Sequence, residues 1–96
     1  MIKFEGIKVW QERHGGWTVL LYGSRDCIEG DCPPLMNLNQ YDGSRYPNLA
    51  ACGVIDWLRK NCPPEVDPSF NPTMGMLEMN EGGGDCAVLF KMAFLR

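Results

Sequence analysis

Histidine is nearly missing from this chain: His14 stands alone among 96 residues. A Cys–His nucleophilic pair would have to use that one imidazole, and it sits in His14-Gly15-Gly16, where an exposed turn residue is the plainer reading. Basic residues are missing from 63–85, whereas Glu65, Asp67, Glu78, Glu81 and Asp85 give that segment a balance of −5. Long apolar runs are missing as well. No stretch approaches the roughly eighteen apolar residues of a membrane span. The opening MIKFEGIKVW has no apolar core of the signal-peptide kind, so the expectation is a cytoplasmic protein with no membrane partner. No internal repeat is visible, and no C-x2-C pair of the kind that builds a structural zinc site.

What is present suits one compact domain spanning 1–96. The hydrophobic share of 45% and charged share of 22% are ordinary for a globular chain and argue against disorder. The net charge of −3 works against a non-specific grip on phosphate backbones, so nucleic acid ranks low among partners. Charge is also unevenly placed. Residues 1–25 carry Lys3, Lys8, Arg13 and Arg25 against Glu5 and Glu12, a balance of +2. An acidic segment on such a background suits a basic partner, where complementarity governs association rate and selectivity.

The first 23 residues read as a β-hairpin. Ile7 and Val9 alternate with Lys8, Trp10 and Glu12, the glycines of 14–16 turn the chain, and Trp17, Val19 and Leu21 alternate with Thr18, Leu20 and Tyr22. Residues 23–45 lose periodicity and gather Gly, Pro, Asn, Asp and Ser, a loop long enough to suggest a recognition surface. Residues 46–62 read as the one helix. Pro47 suits its first turn, Ala51, Val54, Ile55, Leu58 and Cys62 form an apolar stripe, and Pro63-Pro64 stop it near Asn61. The proline-rich stretch that follows reads as an extended surface connection pinned by Val66 and Phe70, because proline excludes a helix interior or a central strand. A second hairpin is expected about Glu81-Gly82-Gly83-Gly84-Asp85, with its last strand, residues 86–95, apolar on both faces. The fold class is therefore α+β in the order β-β-α-β-β, an antiparallel four-stranded sheet with one helix packed on one face. The other sheet face lacks a cover, and Trp10, Leu20 and Tyr22 exposed there would form an apolar patch suited to a homodimer or a partner.

Five cysteines are many for this length, and an odd number cannot all pair within one chain. In a reducing cytosol they would be thiols. Cys62 and Cys86 read as small buried hydrophobes, while Cys27 and Cys32 lie in the long loop with Cys52 as a third candidate ligand. The spacing disfavours zinc, Asp26, Glu29 and Asp31 match no calcium loop, and the glycines at 82–84 lack the Lys and Ser or Thr of a phosphate-binding loop. No metal or cofactor is expected.

These readings rank a non-enzymatic protein-binding module first, acting on a larger protein or complex in the manner of a small phage or mobile-element inhibitor of host defence or nucleic-acid-handling machinery. Its candidate contact residues are Trp57, Arg59, Asp26, Glu29, Asp31, Tyr41, Glu81 and Asp85, combining an aromatic and an arginine of the kind that dominate interfaces with acids and a tyrosine from the loops. A metal-binding or redox protein built on Cys27 and Cys32 is the alternative. A nucleic-acid-binding domain using Lys3, Lys8, Arg13, Arg25, Trp10 and Trp17 is the second.

Overall fold

The computed structural model describes residues 3–22, 36–37, 53–71 and 75–96. Period-2 alternation at the start of the chain yields β1 (Gly6–Gln11) and β2 (Trp17–Tyr22), paired antiparallel with Val9 opposite Val19 and Trp10 opposite Thr18. Gly15, at φ 98°, supplies the left-handed residue that reverses the chain. Its N–H donates to the Glu12 carbonyl at 2.9 Å, and the Glu12 N–H donates to the Gly16 carbonyl at 2.7 Å.

After β2 come β3 (Met36–Asn37), helix α1 (Val54–Asn61), β4 (Ser69–Asn71), β5 (Met76–Met79) and helix α2 (Gly84–Phe94). The strands lie in the order β1-β2-β5-β4-β3, every neighbouring pair antiparallel. The architecture is thus α+β with β-β-α-β-β order, an open four-stranded antiparallel sheet to which the two-residue β3 adds an edge. Among the described residues two helices accompany it rather than one. Inward-facing Ile7, Val19, Leu21, Phe70, Leu77 and Met79 form one core with side chains of both helices. Among the described residues no helix is long and apolar enough to cross a membrane.

Three elements differ from the sequence reading, the first being β3, which lies within the 23–45 stretch read as a loop. The proline-rich connection contains a strand, because Pro68 and Pro72 fall outside Ser69–Asn71 and leave its N–H groups free to pair with β5 and β3. Val66 and Phe70 are buried and do pin this stretch. Residues 86–95 are not a strand: Gly84 to Phe94 are helical. The buried positions Cys86, Ala87, Phe90 and Phe94 follow helical spacing, and Ala, Leu, Met, Phe and Lys tolerate a helix well, Val88 being the sole β-branched residue. The glycines make a tight 3-10 turn, Glu81–Gly83, instead of a hairpin tip.

α1 ends at Asn61, where proline forces it to, with Cys62 already extended. Its start is later than 46, since Gly53 at φ 82° breaks the helical path just before Val54. Residues 46–52 lie outside the described ones. Val54, Ile55 and Leu58 are fully buried. Leu58→Ala is expected to cost about 2–5 kcal/mol, through lost transfer energy and the cavity left behind, as read from urea unfolding midpoints.

The cysteines at the facing helix ends are not free thiols. Cys62 and Cys86 form a disulfide with Cα atoms 5.9 Å apart, a separation within the ordinary range for such a bond. It joins the end of α1 to the start of α2. Cys27, Cys32 and Cys52 lie outside the described residues.

Candidate functional site: an acidic hollow

Two turns meet where the sheet ends. The β1–β2 turn and the Glu81–Gly83 turn are held together by Glu81, whose side chain lies across Gly15 so closely that a Cβ there would come within 2.6 Å of Glu81 Cγ. Trp17 reinforces this contact, its indole Nε1 donating to the Glu81 carbonyl at 3.2 Å. Asn80 brings in a third turn, Pro64–Val66. Its N–H donates to the Val66 carbonyl at 3.0 Å, its Nδ2 donates to the Glu65 carbonyl, and its Oδ1 accepts from the Gly82 N–H at 3.1 Å. An asparagine that caps one turn while clamping another fixes both.

Two adjoining hollows result. One, of about 630 Å³, is lined by His14, Glu65, Asn80 and Glu81, with Gly16 and Gly82. The other, of about 240 Å³, is lined by His14, Asp67, Ser69, Glu78 and Asn80 among others. His14 and Asn80 belong to both. His14 Nδ1 accepts from the Gly16 N–H at 3.1 Å, which fixes the ring in place. Asp67 takes its place through a left-handed backbone, φ 47°, a conformation aspartate tolerates better than most residues. Among the described residues no group of three or more His, Cys, Asp or Glu is arranged to hold a metal ion. The carboxylates are spread over the hollows, a distribution that suits several cationic groups along one partner segment.

Beside the hollow, Glu12 Oε1 accepts from Trp10 Nε1 at 2.6 Å and from Thr18 Oγ1 at 2.9 Å. These hydrogen bonds, the Trp10 one foremost, favour the carboxylate and hold its pKa below the usual 4.5. A folded-state pKa below the unfolded one gives stability that is full above the ordinary value and is lost as pH falls through the depressed one. Glu12→Gln is therefore expected to flatten the acid limb of the stability profile below about pH 4.5, measured by thermal unfolding from neutral pH downward.

Among the described residues, Glu81 alone of the sequence-derived site residues lines the hollow. Asp85 is exposed in the first turn of α2. Trp57 packs at the core edge, edge-on to Phe90 at 5.5 Å and Phe94 at 5.9 Å between ring centroids, and Arg59 is exposed on α1. Asp26, Glu29, Asp31 and Tyr41 lie outside the described residues. Trp10 and Trp17 fall on opposite sheet faces, so they do not form one aromatic surface. The open face carries Trp10, 37% exposed, and Tyr22, 42% exposed, with Leu20 half-buried and Lys8 Nζ 5.7 Å from the Tyr22 ring centroid. The sequence reading assigns no contact role to Glu65, Glu78 or Asn80 and treats His14 as an exposed turn residue. For the first three the signals are the basic-free run of 63–85 and Asn80 standing two residues before a glycine run as a cap; nothing in the sequence marks His14 as part of this surface.

Comparison with protein-family models, curated proteins and solved structures finds no match for this chain.

Proposed function

We propose that the protein is a non-enzymatic binding module that occupies a surface of a larger protein, with the hollow around Asn80 receiving a basic segment of that partner. The observation carrying this reading is the convergence of Glu65, Glu78 and Glu81, from three separate elements, on two hollows that share His14 and Asn80. Among their described lining residues none is Lys or Arg. Such a surface speeds encounter with a cationic partner and rejects anionic ones. The narrower form of the proposal is an inhibitor of phage or mobile-element origin that covers a positively charged surface where a defence or nucleic-acid-handling complex would hold nucleic acid. The net charge of −3 agrees with that role. Action in the cytoplasm requires that the Cys62–Cys86 bond form there or be dispensable.

The test is affinity capture with two baits, the wild-type protein and Glu65→Gln/Glu78→Gln/Glu81→Gln. A partner held by the wild type is expected to bind the variant at least about tenfold more weakly, and to be released by salt as exposed charges are screened. A partner that binds both baits equally and ignores salt would sink the proposal.

A further inference from the structure

The outer face of α2 carries an apolar stripe that the core does not use. Cys86, Ala87, Phe90 and Phe94 turn inward, while Val88, Leu89 and Met92 on the other side are 53%, 51% and 74% exposed. Asp85, Val88, Leu89 and Met92 fall at i, i+3, i+4 and i+7, one face of a 3.6-residue helix. Leu95, just beyond the helix end, continues the exposed surface. α2 packs on β1 and β2 from the inner side of the sheet, so the stripe points away from the sheet.

The two ends of this stripe differ in charge. Asp85 occupies the first turn, Lys91 the last turn, and Arg96 follows the cap, all exposed. A surface with that polarity is complementary to itself turned end for end. We infer that two copies of this protein associate through α2, antiparallel about a two-fold axis. Setting position 90 against position 90 places Val88 opposite the partner's Met92 and Asp85 opposite the partner's Leu95, next to the partner's Arg96 and one helical turn from the partner's Lys91. A parallel arrangement would instead bring Asp85 against the partner's Asp85, a repulsion that selects the antiparallel register. The exposed apolar surface is on the order of 400 Å² per copy, within the range of the largest patch on an ordinary monomer, a size at which such patches are often functional. It is about half the ~800 Å² per partner of a standard complex, so the dimer forms and dissociates with concentration. No residue of the stripe lines the acidic hollow, and both sites can be filled at once.

Sedimentation equilibrium of the full chain, from about 10 μM to about 1 mM, tests this. The mass is expected to rise from one chain towards two. Met92→Asp and Leu89→Lys, both at exposed positions, weaken association at least tenfold while thermal unfolding shows the fold retained. Asp85→Arg weakens it too, and adding Lys91→Glu and Arg96→Glu restores it. Trp10→Ala on the open sheet face leaves it unchanged. A one-chain mass throughout, or association unaffected by Met92→Asp, overturns the proposal; loss with Trp10→Ala assigns the dimer to the sheet face instead. Failure of the charge reversal to restore association overturns the antiparallel register.

Discussion

Phe90→Ala is expected to lower the free energy of unfolding by about 3–5 kcal/mol, whereas Val88→Ala two positions away should stay within about 0.5 kcal/mol. Phe90 is fully buried, stacks on Phe94 with ring centroids 4.5 Å apart at 23°, and receives the edge of Trp57 at 5.5 Å. Aromatic pairs of this kind add about 0.5–1.5 kcal/mol beyond area burial, and these contacts tie α1 to α2. Val88 faces outward. The contrast separates helix from strand as well: in a strand Val88, Phe90 and Met92 would share a face, and truncating a buried Val88 would cost well above about 0.5 kcal/mol. Urea unfolding midpoints of the two variants, interpreted with a common slope, make the comparison.

Cys62→Ala/Cys86→Ala has the second large effect. The bond closes a loop between residues 24 apart in sequence, and the loop-entropy relation puts the stabilisation at ~3.5 kcal/mol. For a domain of this size that corresponds to a fall in Tm of roughly 15–25 °C. Reduction of the wild-type protein should lower its Tm by at least that amount. Equal melting of the oxidised and reduced protein would show that packing between α1 and α2 suffices without the bond.

How far the sequence reveals this fold depends on whether burial leaves a period. In β1 and β2 one face is buried and the other open, so the alternation of Ile7, Val9, Trp17, Val19 and Leu21 with their neighbours specifies both strands and their orientation. In residues 86–95 apolar side chains occupy inner and outer positions alike, because the outer face of α2 is itself apolar. Period-2 and period-3.6 templates then both fit, and the adjacent glycines suggest a hairpin. The pairing of Cys62 with Cys86 depends on two helix ends meeting, which spacing alone does not encode. The acidic hollow was legible as a charge bias over 63–85 but not as a shape. Its shape comes from Asn80 clamping the Pro64–Val66 turn and from the β1–β2 turn lying against Glu81, contacts across 15 and 66 residues of chain.

The most direct measurement of the central claim follows backbone amide shifts of the isotopically labelled protein during titration with a lysine- and arginine-rich peptide at low ionic strength. The account predicts saturable shifts concentrated at His14, Gly16, Glu65, Asn80, Glu81 and Gly82, the residues of the larger hollow, and their loss in Glu65→Gln/Glu78→Gln/Glu81→Gln. Shifts scattered over the surface, or a localised set elsewhere that survives the triple substitution, would contradict it.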